Sequence, residues 1–351
     1  MTLSFTLATR EDDEGIRRLL ATNPVPGTIA LRYEREPDYF AGCSTMGPFT
    51  QVLVAKDATR VVGVACRAVR PMYINGQRED IGYLGQLRVD RGYRGRFLVL
   101  RGFQFLRELH DDGRTRGYVT TIIEGNAEAE GVLVHRARGV MPRYRRLGTL
   151  VTLALECGSA SSRFPTPRSG DPAAILAFLH REGPKRQFFP AYDSYDGDFV
   201  VVEREGQIAG VATLWDQRAY KQTIIDRYSP ALHVVRPLYN AFASLTGRAT
   251  LPPRGTALKS AYGSFFCVSN DDAEIARTLI RSLLAKARER GLNHLLLGFS
   301  DTDPLFQVAR TFRHVAYPAG IYTVGWDDGD FHDRLDNRLD KRPPHLELAT
   351  L

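Results

Sequence analysis

The chain has 351 residues, 43% hydrophobic and 25% charged, a size at which one hydrophobic core usually gives way to two, so two globular domains are expected. It lacks both a run of about 18 apolar residues and an amino-terminal leader with a basic and then an apolar segment, which predicts a cytoplasmic protein without a membrane partner. The formal net charge is +7, but the basic residues are spread along the chain, and this pattern disfavours a nucleic-acid partner.

The first half alternates between strand and helix patterns. Polar or glycine-containing stretches separate the elements, which indicates a mixed α/β domain. In chain order, the predicted elements are a strand and helix over 6–20, a hairpin over 51–73, a strand over 81–89, a basic loop over 90–96, a helix over 97–109, a strand over 118–124, a short helix from 126 and a strand over 144–155.

The second half repeats this pattern after a stretch rich in Ser, Pro, Gly and Arg. At an offset of 147, the hairpin segments 52–55 and 61–65 meet 199–202 and 208–212, and an internal repeat explains the match. The predicted division is a first domain over 1–156, a linker over 157–171, a second domain over 172–327 and a surface-packed tail over 328–351. The further predicted elements are a lid or loop inserted over 228–256, a strand over 262–268, a helix over 272–290, a strand over 294–299 and a short helix from 304.

The strongest chemical signal is the loop Arg91-Gly92-Tyr93-Arg94-Gly95-Arg96 between a strand and a helix. Backbone amides at a helix N-terminus bind phosphate oxygens, glycine permits close approach, and arginine adds charged donors. The loop therefore predicts a diphosphate site, and the alternative is a solvated basic turn.

This loop and the order of elements resemble the Gcn5-related N-acetyltransferase family, whose acyl-CoA loop reads (Gln/Arg)-x-x-Gly-x-(Gly/Ala). The match begins Val89-Asp90-Arg91-Gly92-Tyr93-Arg94-Gly95-Arg96, and it departs where Phe97 and Val99 replace the family's later small residues. The resemblance implies an α/β fold with a mixed sheet flanked by helices, two tandem domains of this type, and acetyl-CoA or another acyl-CoA as co-substrate without a metal.

The resemblance also assigns the residues that would hold the co-substrate. The residues on the fourth strand would act through their backbone groups, and the residues in the loop and helix would hold the diphosphate. One further residue stands at the end of the fifth strand. The assigned residues are Leu87, Val89, Arg91, Arg94, Gly95, Arg96, Phe97, Leu98 and Asn126.

Two catalytic roles are less directly supported. The family's tyrosine acid falls on Leu133 and is not carried over, so Tyr144 on the next strand is a possible substitute, with a buried structural tyrosine as the alternative. Glu124, at the end of the fifth strand, is the candidate base that removes a proton from the amine, with a surface carboxylate as the alternative.

The corresponding loop of the second half carries Asp271, Asp272 and Glu274, which suit a helix N-terminus but would repel a diphosphate. The four cysteines form no CxxC pair and the histidines show no ligand spacing, so no metal site is predicted. The predicted function is acyl transfer from acyl-CoA to a primary amine of a small molecule or peptide. The alternatives are an inactive acyl-CoA-binding or scaffold protein and an aminoacyl-tRNA-linked transferase.

Overall fold

The computed structural model describes residues 3–135, 139–158, 171–195, 197–246, 248, 250–326, 331–336 and 339–351. Most of the predicted linker over 157–171 and part of the predicted tail over 328–351 therefore lie outside the described residues. The domain boundaries stay a prediction.

The chain alternates strands with helices in both halves. The strands are β1 (Leu3–Leu7), β2 (Ile29–Glu34), β3 (Phe49–Asp57), β4 (Arg60–Ile74), β5 (Gln77–Val89), β6 (Tyr118–Ile123), β7 (Arg143–Glu156), β8 (Phe199–Arg204), β9 (Gln207–Trp215), β10 (Gln222–Tyr228), β11 (Ser260–Val268), β12 (His294–Ser300) and β13 (His314–Gly325). The helices are α1 (Asp13–Thr22), α2 (Arg96–His110), α3 (Ala127–Leu133), α4 (Pro172–Glu182), α5 (Pro230–Thr246), α6 (Ala273–Glu289), α7 (Pro304–Ala309) and α8 (Phe331–Asp336).

Within the described residues, eleven strands form one continuous mixed sheet in the order β1-β3-β4-β5-β6-β13-β7-β12-β11-β9-β8. The centre of this sheet is exchanged between the halves: β13 pairs with β6 of the first half, and β7 pairs with β12 of the second. The predicted mixed sheet flanked by helices is confirmed, and the exchange makes the two halves one structural body.

The internal repeat is visible in the backbone register of two hairpins. Val52 pairs with Cys66 across β3 and β4, and the residues 147 positions later, Phe199 and Thr213, pair across β8 and β9. Both hairpins also shift register at the same step, after Ala55 in β3 and after Val202 in β8. A shared bulge indicates that the halves have the same local geometry, because bulges redirect a strand at defined positions.

Each half opens a cleft where two neighbouring parallel strands separate. β5 pairs with β6 only through Gly82 and Tyr83, and β11 pairs with β12 only through its residues 260–262. Each splayed strand also carries a bulge at a residue with positive φ, Gln86 at 60° and Phe265 at 55°. The fold therefore places two related clefts in one sheet.

A buried ion pair lies close to the first cleft. Arg67 of β4 is fully buried, and its guanidinium donates two hydrogen bonds of 2.8 Å to the carboxylate of Asp112. Its Nε donates to the hydroxyl of Tyr118, 2.9 Å away, at the point where β5 and β6 still pair. A buried charge needs such partners, and this network anchors the base of the cleft.

Two expectations from the sequence were wrong or incomplete. The carboxyl-terminal tail does not pack on the surface, because His345, Leu346 and Glu347 are buried and Leu346 joins the core of the first half. The insertion over 228–256 contains the 17-residue helix α5, and β10 before it pairs with β2 of the first half. None of the described helices is long and apolar enough to cross a membrane.

Candidate functional site

The N-terminus of α2 has no capping side chain. Its N-cap is Gly95, in extended backbone geometry, and the first helical turn contains no acidic residue. The amides of the preceding turn are already used, since Gly92 N donates to Asp90 Oδ1 at 2.9 Å and Tyr93 N donates to the Asp90 carbonyl at 2.9 Å. The first-turn amides of α2 are therefore the donors that this end of the helix presents to a ligand.

The equivalent helix of the second half caps itself. Asp272 is the N-cap of α6, and its Oδ1 accepts hydrogen bonds from Glu274 N at 2.9 Å and Ile275 N at 3.1 Å. These backbone donors hold the pKa of Asp272 below its ordinary value, and Arg204 contributes from 2.7 Å. The two loops therefore differ in geometry as well as in charge. The Asp272 carboxylate binds the first-turn amides of α6, whereas Gly95 leaves the first-turn amides of α2 without a capping side chain.

The arginines of the first loop have different surroundings. Arg94 Nη1 donates to Glu128 at 2.8 Å and Nη2 donates to Asn23 at 3.1 Å, so this side chain ties the loop to α3 and α1. Arg91, at the start of the loop, is exposed. The side chain of Arg96 lies outside the described residues.

The predicted backbone contacts lie at the edge of the first cleft. Leu87 follows the bulge at Gln86 and is 39% exposed, whereas Val89 and Leu98 pack into a small core together with Tyr93 of the loop. Phe97, in the first turn of α2, is 79% exposed. An apolar surface thus borders the loop where the resemblance predicts a small residue.

The other three predicted side chains have partners within the protein. Glu124 accepts a hydrogen bond of 2.7 Å from Arg146, and Asn126 caps α3 by accepting from Ala129 N at 3.2 Å. Tyr144 packs edge-on between Phe103 and Tyr322, and burial raises the pKa of its hydroxyl. These contacts suit the structural alternatives, and the catalytic roles of Glu124 and Tyr144 stay predictions.

The tail of the chain occupies the cleft of the second half. Glu347 Oε2 accepts a hydrogen bond of 2.8 Å from Phe265 N, at the bulge of β11, and Oε1 accepts from Ala349 N at 3.3 Å. Leu348 lies against Gly298 of β12, where an added Cβ would come within 3.2 Å. A bulge amide can therefore bind a negatively polarised oxygen in this fold, and Gln86 occupies the equivalent position in the first half.

Sequence reasoning missed a group of side chains between the halves that includes Lys221, Arg35 and Tyr262. Lys221 Nζ donates to the Leu351 carbonyl at 2.9 Å and lies 4.8 Å from the ring centre of Tyr262. Burial, together with Arg35, lowers the pKa of Lys221 well below its ordinary value. No motif surrounds these residues, because distant segments meet here through the β2–β10 pairing. Among the described residues, no group of three or more His, Cys, Asp or Glu side chains could hold a metal ion.

No protein-family model and no curated protein matches the sequence. Two solved structures of Saccharomyces cerevisiae N-myristoyltransferase with bound myristoyl-CoA are similar to this chain. One has a TM-score of 0.59 at 11% identity and covers 92% of this chain and 79% of that chain. The other has a TM-score of 0.57 at 10% identity and covers 91% and 82%.

A Gcn5-related N-acetyltransferase from Anabaena variabilis is also similar, at 9% identity over 92% of this chain and 72% of that chain, but its TM-score of 0.48 is too low to carry an argument. Identities this low establish a fold and leave activity open. With the eleven-stranded sheet, the repeated hairpins and the two splayed clefts, this similarity shows that the chain has the fold of the N-myristoyltransferase structures.

Proposed function

We propose that the protein is an acyl-CoA-dependent N-acyltransferase, which binds the acyl-CoA in the first-half cleft and transfers the acyl group to a primary amine. The observation that carries this proposal is the contrast between the two equivalent helix ends. α2 presents uncapped amides beside arginines, whereas Asp272 already fills the corresponding position at α6. One half of the molecule is therefore suited to a diphosphate, and the other half is closed to it.

The first-half site suits acyl-CoA because it offers backbone donors and positive charge and leaves room for a ligand. The amides of Arg96, Phe97 and Leu98 would bind the diphosphate, and Arg91 would add charge. Gly95 leaves room beside them, because an added Cβ there meets nothing within 4 Å. The β5 backbone from Leu87 onward, next to the bulge, would polarise the thioester carbonyl, as the bulge amide of the second half binds a carboxylate.

In the proposed reaction, the amine first loses a proton from its ammonium form and then attacks the thioester carbonyl. The new C–N bond forms, the attacking nitrogen gives up its second proton, the C–S bond breaks, and the departing thiolate takes up a proton. Glu124 stays the candidate that removes the proton from the ammonium, and Tyr144 stays the candidate that protonates the thiolate. Their existing partners favour a site in which orientation and backbone polarisation supply most of the rate enhancement.

Substitution of the candidate base separates these mechanisms. Glu124→Gln leaves kcat within about tenfold of the wild type if orientation dominates, whereas a general base would contribute about 10²–10⁴-fold. The pH dependence of kcat/KM is the second readout, because removal of a base abolishes its titration. Tyr144→Phe tests the acid in the same way.

The test of the function itself is thiol release from acetyl-CoA and myristoyl-CoA in the presence of a panel of primary amines. The proposal predicts amine-dependent release and an N-acyl product detected by mass spectrometry. The two acyl-CoAs distinguish a short-chain from a long-chain donor, since the similar N-myristoyltransferase structures contain myristoyl-CoA. A cytoplasmic location and an acetyl donor remain part of this proposal.

The second candidate function is an acyl-CoA-binding protein without turnover. It is favoured by the ion pair of Glu124 with Arg146 and by the aromatic packing of Tyr144, which leave neither side chain as an evident acid or base. Calorimetric binding of CoA without thiol release from any donor would support it. Absence of binding to every CoA species would contradict both functions.

A further inference from the structure

Helix α5 turns an apolar face towards solvent. Val234, Val235, Leu238, Phe242 and Leu245 are between 50% and 87% exposed. Of the helix residues, only Ala243 is buried. At 3.6 residues per turn, the five exposed apolar side chains fall within an arc of about 100° on one side of the helix.

On the opposite side of α5, two polar side chains bind the segment that follows the helix. Arg236 Nε and Asn240 Nδ2 each donate to the Leu251 carbonyl at 3.0 Å, and Leu251 N donates to Asn240 Oδ1 at 2.8 Å. A surface helix of a globular protein normally directs its apolar side inward. The five apolar side chains of α5 are instead turned outward, which indicates that this face contacts an apolar phase.

The segment around α5 carries positive charge without acidic residues. No Asp or Glu occurs between Asp226 and Asp271. The guanidinium of Arg248 lies 5.3 Å from the ring centre of Phe242, at the edge of the apolar face. The cations in this acid-free segment are Arg227, Arg236, Arg248, Arg254 and Lys259.

This combination favours a lipid surface over a second copy of the chain. An apolar stripe on a helix with cationic flanks is the pattern of helices that lie in the interface of anionic membranes. If two copies paired through α5, their acid-free cationic segments would face each other without counter-charges. The face also lies on an element that the internal repeat does not require.

We propose that α5 docks the protein reversibly onto an anionic lipid bilayer, with its apolar face at the level of the headgroups. The docking is peripheral, in agreement with the absence of a spanning helix among the described residues. The sequence predicted no membrane partner because it lacks a spanning run and a leader pattern, and that prediction did not anticipate a helix in the insertion. The proposal is independent of the reaction at the first-half cleft.

Vesicle flotation of the full chain tests this docking. Phosphatidylcholine vesicles are compared with vesicles containing about 30% phosphatidylglycerol at physiological ionic strength. The expected result is at least about tenfold stronger partitioning onto the anionic vesicles. The neutral double variant Leu238→Gln, Leu245→Gln should weaken that partitioning by about tenfold or more, whereas Ser244→Gln, exposed on the same helix outside the arc, should leave it within about twofold.

Circular dichroism and thermal unfolding establish that both variants are folded. Failure of the wild type to float with either vesicle, or equal partitioning onto both, would overturn the proposal. It would also fall if gel filtration with light scattering showed a stable wild-type dimer that the double variant dissociates, since a second copy would then cover the face. Retention of full partitioning by the double variant would contradict it as well.

Discussion

Replacement of Gly95 by aspartate converts the N-terminus of α2 into the form seen at α6. Gly95 has φ −180° and ψ 164°, an extended conformation that any residue adopts, and an added Cβ meets nothing within 4 Å. The new carboxylate can therefore accept hydrogen bonds from the first-turn amides, as Asp272 does from Glu274 N and Ile275 N. The same amides would then be blocked for a diphosphate.

The change should alter stability and binding in opposite directions. Capping and the helix dipole together stabilise the folded chain by about 0.5–1 kcal/mol. Repulsion between the carboxylate and one phosphate charge roughly 5 Å away is about 3 kcal/mol at an effective dielectric constant of about 20, equivalent to about a hundredfold rise in Kd. Gly95→Asp should therefore raise the stability of the fold while it weakens the binding of CoA.

Isothermal titration calorimetry with CoA measures the binding, and chemical denaturation measures the stability. Gly95→Asn is the matched control, since its amide caps the helix without a charge, and its Kd should rise by about tenfold or less. If Gly95→Asp bound CoA within about threefold of the wild type, the diphosphate would not lie at α2 and the reasoning would be refuted.

Three further changes concern the stability of the fold. Burial lowers the pKa of His345 to about 3, so its proton binds mainly to the unfolded chain, and the wild type should lose about 2 kcal/mol through this group between pH 7 and pH 5. Asp112→Asn should cost about 3–5 kcal/mol, because it leaves the buried guanidinium of Arg67 without a counter-charge. Leu346→Ala should cost about 2–5 kcal/mol, because the tail is part of the core. Denaturant unfolding measures all three.

Each of these predictions has a control in the same chain. The unfolding free energy of the wild type minus that of His345→Leu should fall by about 2 kcal/mol between pH 7 and pH 5. A constant difference would contradict the histidine's role. Asp193→Asn breaks an exposed ion pair and should cost about 1 kcal/mol or less. Leu245→Ala, at a side chain that is 87% exposed, should change stability by about 0.5 kcal/mol or less. Equal losses in either matched pair would contradict the burial argument.

The sequence predicted the elements whose signals are local. Runs of strand-forming apolar residues indicated the hairpins at 51–73 and 199–212, and the repeat offset of 147 agrees with their register and bulge. The glycine- and arginine-rich loop at 90–96 likewise indicated the start of α2, because helix ends have their own residue preferences. The acids near Asp272 indicated the capped α6 for the same reason.

The features that sequence reasoning missed depend on contacts between distant segments. The exchange of β7 and β13 in the large sheet and the separate pairing of β2 with β10 both join the two halves, and none of these strands carries a local pattern that specifies its partner. The tail looked like a surface segment because it is short and polar, yet Glu347 is buried through its bond to Phe265 N. α5 was missed because four prolines in 228–256 suggested a loop.

We propose that the first half, and not the second, holds acyl-CoA. Hydrogen–deuterium exchange with and without CoA tests this claim directly, because both halves are observed in one experiment. With CoA bound, we expect slower exchange at the bulge of β5 and the first turn of α2, over 86–99, and no change over the equivalent residues 265–276. Protection of the second-half segment, or of neither segment, would contradict it.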